Sequence, residues 1–228
     1  METSIEVQKK INDTLLSLID ASGTACDELC IDRLKRYFSE LYTWNQRINL
    51  TGLRSPQDMV LKHLGDTILL STYLELDSGN ILDIGTGPGV PGLLLKILRP
   101  ELDVVLVEAV RKKVSFMETV IAYTGLTNVK AIHGRIKGGP KDKALLKTGE
   151  FDAVLSQAAM SVSTFIKLFM SLSSVKSIGF LLKGPKGEDE LNATEITDDL
   201  VVDVIKARTA LANYSRTILK FRYSGSYV

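Results

Sequence analysis

A glycine-rich turn between two apolar segments is the feature that most constrains the fold of this chain. The turn has glycines at positions 85, 87, 89 and 92, and it follows a short apolar run, 81–84, that contains one acid. A second apolar run, 93–98, comes directly after it. This order predicts a strand, a tight turn and a helix, the arrangement that binds a nucleoside cofactor at the carboxyl end of a parallel sheet.

The residues around the turn favour S-adenosylmethionine over a dinucleotide. A dinucleotide site holds an anionic pyrophosphate on backbone N–H groups, whereas Pro88 and Pro91 remove two such donors. The carboxylate of Asp83 would repel a pyrophosphate but suits a ligand that carries an ammonium group; as an alternative, it is a helix cap or turn residue. A second acid, Glu108, ends the apolar run 104–107, where a carboxylate can accept both ribose hydroxyls.

Length and composition indicate one globular domain. The chain has 228 residues, of which 45% are hydrophobic and 24% charged, enough for a single α/β domain over 1–228 with a sizeable core. We expect a helical extension over 1–75 and the catalytic core over 76–228. The sequence shows neither a signal-peptide pattern nor an apolar run of roughly 20 residues. We therefore expect a cytoplasmic monomer without a membrane partner.

The two cysteines, Cys26 and Cys30, are predicted to lie on one helix. They are spaced i, i+4 within an amphipathic segment, and this helical geometry does not favour a disulfide. We therefore expect reduced thiols. No cluster of cysteines and histidines offers metal-ligand spacing, so the sequence predicts no metal site.

Alternating patterns from residue 81 onward predict a mostly parallel sheet. The expected strands are 81–84, 103–107, 128–132, 151–155, 177–182, 199–206 and 215–222, and the expected helices are 91–98, 111–124, 161–173 and 187–195. The last two strands follow one another directly and predict an antiparallel hairpin at the sheet edge. Residues 1–75 show helical periodicity, with Ser55 and Pro56 marking a helix start. A Rossmann-like seven-stranded sheet of this kind is typical of class I S-adenosylmethionine-dependent methyltransferases.

Several stretches together resemble one family, the bacterial ribosomal RNA small subunit methyltransferase G, also called glucose-inhibited division protein B. The resemblance spans about 40–220 and is carried by the segments 44–51, 63–67, 83–92, 97–100, 112–116, 151–158 and 182–184. It implies transfer of a methyl group from S-adenosylmethionine to N7 of a guanine in 16S ribosomal RNA, with that RNA or the small ribosomal subunit as partner.

Residue patterns and resemblance together predict the cofactor site. The predicted cofactor-binding residues are Asp83, Gly85, Thr86, Gly87, Gly89, Val90, Glu108, Ile136, Lys137 and Gln157. His63 and Asp66 match a family His-x-x-Asp pattern and are catalytic candidates, with Asp66 as a carboxylate that stabilises the charged product. Alternatively, these two side chains form a local polar face on a helix. The chain departs from the family at two positions, with Gln157 in place of arginine and Lys137 in place of glutamate.

The sequence leaves other functions open. The cofactor residues would be the same in a methyltransferase that acts on another RNA, a protein or a small molecule, and the departures at 137 and 157 also suit a divergent member with reduced activity or a non-catalytic RNA-binding protein. A nicotinamide-dependent oxidoreductase would use a similar glycine turn. Basic residues at 137, 141, 143 and 147 predict contacts with RNA phosphates, or they simply keep a loop soluble.

Overall fold

The computed structural model describes residues 3–139, 142, 146, 150–211 and 214–225. A seven-stranded sheet carries helices on both faces. The strands are β1 (Gly79–Ile84), β2 (Leu102–Glu108), β3 (Val129–His133), β4 (Phe151–Gln157), β5 (Ser173–Lys183), β6 (Leu200–Arg208) and β7 (Ser215–Tyr223). The helices are α1 (Ser4–Ser22), α2 (Glu28–Asn45), α3 (Pro56–Met59), α4 (Gly65–Ser71), α5 (Gly92–Leu98), α6 (Arg111–Thr124), α7 (Val162–Leu172) and α8 (Gly187–Asn192).

The strand order is β3-β2-β1-β4-β5-β7-β6. Strands β1 to β5 run parallel, whereas β7 pairs antiparallel with both β5 and β6. This confirms the predicted sheet with a reversed pair at its edge. The largest difference in strand bounds is at β5, which begins at Ser173, four residues earlier than expected.

Two apolar layers enclose the sheet, which is why its central strands are almost continuously apolar. Side chains alternate between faces along a strand: on β2, Val104 and Leu106 belong to one layer, and Val105 and Val107 to the other. Helices α1 to α6 cover the first face, and α7 and α8 cover the second. Within the described part of the chain, no helix has the length and apolar character needed to cross a membrane.

The N-terminal helices pack directly on the core of the sheet. Asp27 caps α2 by accepting a hydrogen bond from the Cys30 amide at 2.7 Å. Farther along α2, the indole of Trp44 contacts the ring of Phe116 on α6, with 5.8 Å between ring centroids. The Tyr37 hydroxyl donates to the carbonyl of Pro88 at 3.0 Å. The helical extension therefore contacts the glycine turn directly, through Tyr37.

The helix predicted to begin at Ser55 does so, with the Ser55 hydroxyl accepting from the Asp58 amide and Pro56 in the first turn. A π-helical turn, Val60–Leu64, interrupts it before α4 continues to Ser71. A π turn changes the angular spacing of the side chains that follow it and is frequent at functional sites. It falls on His63.

The expectation of two reduced cysteines is wrong in this structure, which pairs Cys26 with Cys30 in a disulfide. The error lies in where the helix begins. Because Asp27 is the N-cap of α2, Cys26 lies in the preceding loop and not on the helix. Its Cα is then 5.5 Å from that of Cys30, within the usual range for a disulfide.

Candidate active site

An open cavity of about 570 Å³ lies at the carboxyl ends of β1, β2 and β4. Its walls are the glycine turn after β1, the end of β2, the segment after β3, the end of β4 and part of α7. The sequence order of the strands reverses between β1 and β4, and open α/β sheets bind ligands at such a switch point. The volume is within the roughly 300–1,000 Å³ of small-molecule sites.

Asp83 holds the glycine turn together from inside the protein. Its Oδ2 accepts hydrogen bonds from the Thr86 hydroxyl at 2.5 Å and from the Gly92 amide at 2.8 Å. The side chain is fully buried and does not line the cavity. Burial raises the pKa of Asp83 to about 7; the bonds from Thr86 and Gly92 oppose this rise, and the charge of Glu108 adds to it. These contacts give Asp83 the role of a turn residue, the alternative that the sequence left open beside a contact with the ligand.

Gly85 brings the turn close to the segment after β4. Its φ is +71°, and a Cβ there would lie 2.6 Å from that of Ala159, so only glycine fits without displacement. Gly85, Thr86, Gly87 and Val90 all line the cavity, as predicted for cofactor contacts, whereas Gly89 does not. Their binding of a cofactor stays a prediction.

Glu108 lines the cavity, and the backbone fixes its carboxylate. One oxygen accepts from the Gly87 amide at 2.9 Å and the other from the Val110 amide at 2.8 Å. A carboxylate has about four lone-pair positions, so each oxygen can accept one more hydrogen bond. The arrangement suits the predicted contact with two ribose hydroxyls.

The two residues predicted to flank the adenine are placed differently. Ile136 is buried and lines the cavity, whereas the exposed Lys137 does not. The Lys137 amide donates to Oδ2 of Asp142 at 3.0 Å, and the amides of Gly138 and Gly139 donate to the same oxygen. This carboxylate therefore organises the loop after β3. Three of the predicted phosphate contacts, Lys141, Lys143 and Lys147, lie outside the described residues.

His63 lines the cavity from the side of the N-terminal helices. Its Nε2 is 3.2 Å from the Thr51 hydroxyl. Burial, aided by the charges of Arg216 and Lys62, lowers the pKa of His63 to about 4. The imidazole is therefore neutral near neutral pH.

Asn45 sets the loop that brings Thr51 to His63. Its Oδ1 accepts from the amides of Leu50 and Thr51, both at 2.9 Å, and its Nδ2 donates to the carbonyl of Leu53 at 2.9 Å. Because Asn45 is almost fully buried, its amide serves the fold of this segment. The tryptophan-containing stretch noted in the sequence thus shapes one wall of the cavity.

Asp66 does not line the cavity. It is 1% exposed and binds Arg216 of β7 through two hydrogen bonds, Nε to Oδ1 at 2.8 Å and Nη2 to Oδ2 at 3.0 Å. Tyr214 donates to Oδ1 at 3.3 Å and Gln157 to Oδ2 at 2.7 Å. Burial raises the pKa of Asp66, and Arg216 opposes that rise. The structure therefore places Asp66 behind the wall, in contact with Gln157, which does line the cavity.

Sequence reasoning missed several residues around the cavity. Arg216 and Tyr214 are about 150 positions from Asp66, so no local spacing points to them. Ala159 and Met160 also line the cavity. They follow Gln157 by two and three positions, and this closeness in the sequence was a signal that could have identified them. Lys113 contributes from the start of α6.

A family model described as rRNA small subunit methyltransferase G matches residues 30–214 of the chain. The chain belongs to this family. It is 34% identical over 174 residues to the ribosomal RNA small subunit methyltransferase G of Methylobacillus flagellatus, covering 76% of this chain and 81% of the relative. It is 35% identical over 179 residues to that of Haemophilus influenzae, covering 78% and 84%.

Solved structures show the same fold at low identity. Precorrin-6y C5,15-methyltransferase from Geobacter metallireducens GS-15 superposes with a TM-score of 0.52 at 13% identity, over 69% of this chain and 87% of that one. TrmN from Thermus thermophilus gives a TM-score of 0.52 at 13% identity, over 69% and 49%. Family membership and fold confirm the predicted class I methyltransferase architecture and an rRNA methyltransferase that uses S-adenosylmethionine.

Proposed function

We propose that this chain transfers the methyl group of S-adenosylmethionine to N7 of a guanine in 16S ribosomal RNA. The observation that carries the proposal is a cavity at the switch point of the sheet, walled by the glycine turn and Glu108, in a chain of the rRNA small subunit methyltransferase G family. An rRNA substrate implies a cytoplasmic location and the small ribosomal subunit or its RNA as partner.

The residues of the cavity fit the parts of the cofactor. The Glu108 carboxylate, held by two backbone amides, would accept the ribose hydroxyls. The buried side chain of Ile136 offers an apolar surface for the adenine, and Leu168 of α7 lines the same cavity. Gly85, which has no side chain, lines the cavity at the end of β1, where the methionine part of the cofactor would lie.

The reaction needs positioning and not a general base. The N7 lone pair of guanine is already a nucleophile, and the bound cofactor supplies an electrophilic methyl group. The task of the chain is to align acceptor and methyl carbon and to exclude water, which can be worth about 7–11 kcal/mol. A neutral His63 at the wall adds no positive charge there to oppose the cation that forms on the purine.

Titration calorimetry with S-adenosylhomocysteine tests the cofactor site. We expect Glu108→Ala to abolish measurable binding, because the ribose hydroxyls lose their acceptor. Glu101→Ala removes a carboxylate beside the opposite end of β2 and should bind like the wild type. Circular dichroism would verify that both variants are folded. Equal affinity in the two variants would place the ribose elsewhere.

Incubation with S-adenosylmethionine and small subunits that lack the modification tests the reaction. Mass analysis of the digested 16S RNA should show 7-methylguanosine with the wild type and none with Glu108→Ala. Binding of S-adenosylhomocysteine without 7-methylguanosine would retain the methyltransferase and move its target to another molecule. Binding of NAD without S-adenosylhomocysteine would overturn the proposal.

A further inference from the structure

The side-chain amide of Gln157 has a hydrogen-bond partner at its nitrogen but, in the residues that the structure describes, none at its oxygen. Its Nε2 donates to Asp66 at 2.7 Å, whereas its Oε1 is buried and has no hydrogen-bond partner among the described residues. The side chain lines the cavity at the end of β4. A buried acceptor without a partner is unfavourable, which makes this oxygen a candidate contact for a ligand.

The surroundings of Asp66 fix which end of the amide is free. Arg216 holds both oxygens of the carboxylate, and Tyr214 donates to one of them. An ionised carboxylate only accepts hydrogen bonds, so the end of the Gln157 amide that faces it must be the NH₂ group. A flipped amide would set its oxygen against a carboxylate oxygen. The carbonyl oxygen is therefore the end left for a ligand.

The order of the strands indicates which part of a ligand meets this oxygen. Glu108 ends β2 and Gln157 ends β4, with β1 between them. With the ribose at Glu108 and the adenine near Ile136, as proposed above, the amino-acid part of the cofactor extends across β1 toward β4. Its ammonium group is the hydrogen-bond donor at that end.

We propose that the Asp66–Arg216 pair orients the Gln157 amide so that Oε1 accepts a hydrogen bond from the ammonium group of the cofactor. Glutamine held in this way keeps its donor on Asp66 and leaves its acceptor for the ligand. The inference rests on the proposed cofactor site and deepens it.

Two ligands that differ only in the amino-acid part test the contact. S-adenosylhomocysteine carries the ammonium group, and 5′-methylthioadenosine lacks the amino-acid part. Gln157→Met keeps the length of the side chain and removes both its acceptor and its donor to Asp66. Because a hydrogen bond to a charged group is lost, we expect about tenfold or more weaker binding of S-adenosylhomocysteine. Affinity for 5′-methylthioadenosine should stay within about twofold, which also shows that the cavity is folded.

Gln46→Met makes the same chemical change at an exposed position outside the cavity and should alter neither affinity. Equal weakening of both ligands by Gln157→Met, or no weakening of either, would overturn the proposal. So would unchanged S-adenosylhomocysteine affinity with a raised KM for RNA, which would assign Oε1 to the target base. A wild type that binds neither ligand would instead overturn the cofactor site itself.

Discussion

Burial raises the pKa of the Asp83 carboxyl group enough to affect stability. Its pKa is about 7 in the folded chain, whereas an aspartate in an unfolded chain titrates near about pH 4. Between these values the folded state keeps a proton that the unfolded state releases, so the free energy of unfolding falls as pH rises. Asp83→Asn removes this titration. We expect the wild-type free energy of unfolding, relative to that of Asp83→Asn, to fall between about pH 4 and pH 7 and to level off above.

Urea denaturation across this pH range measures the difference between wild type and Asp83→Asn. Asp32→Asn, on the exposed side of α2, shows what removal of a carboxylate does in general. If the difference between wild type and Asp83→Asn were the same at about pH 5 and pH 8, the carboxyl group would not carry the proton expected of it.

The ion pair between Asp66 and Arg216 should contribute far more than an exposed pair. Arg216→Met leaves a carboxylate that is 1% exposed without its cation, and breaking a buried pair in this way typically costs about 3–5 kcal/mol. Lys206→Met breaks an exposed pair with Glu188 of α8 and should leave the free energy of unfolding unchanged. Chemical denaturation compares the two variants. Similar small losses in both would show that Asp66 relies on its other partners.

At the scale of elements, the glycine turn was predictable and the support around it was not. Strand, turn and helix follow one another within residues 79–98, so their pattern is local in the sequence. By contrast, the contacts of Asp66 with Gln157 and Arg216 join positions 91 and 150 residues apart. Periodicity carries no information on such pairs. The disulfide was missed because the predicted helix began too early. Since α2 begins after Cys26, this cysteine does not have helical geometry relative to Cys30.

Gly92 lets α5 pack closely on β1. A Cβ at this position would lie 2.8 Å from the Cβ of Asp83 and 2.6 Å from a methyl group of Leu106. Overpacking of this kind typically costs about 1–3 kcal/mol, so Gly92→Ala should lower the free energy of unfolding by that amount. A Cβ at Gly52 meets nothing within 4 Å, and Gly52→Ala should be nearly neutral. Urea denaturation measures the free energy of unfolding of both variants. Equal values for Gly92→Ala and Gly52→Ala would mean that α5 can shift to make room for the added methyl group.

At the scale of the whole molecule, the extension and the sheet share one apolar core. Leu15 of α1 and Phe38 of α2 belong to the same buried cluster as Ile81 of β1 and Phe180 of β5. Helical periodicity predicted these N-terminal helices but not the face they cover, because that depends on which side of the sheet the later helices leave open. We therefore expect that neither part is stable alone.

The single tryptophan tests this cooperativity. Trp44 lies in the extension and contacts Phe116 of α6, so its fluorescence reports the contact between extension and core, whereas far-ultraviolet circular dichroism reports the entire chain. One cooperative unit requires the two urea transitions to coincide. Ile11→Ala, which creates a cavity in α1, should shift both midpoints downward together. Ile5→Ala changes an exposed side chain on the same helix and should shift neither. A fluorescence transition that precedes the circular dichroism transition would show that the extension detaches first, and the wall of the cavity formed by His63 would then open before the sheet unfolds.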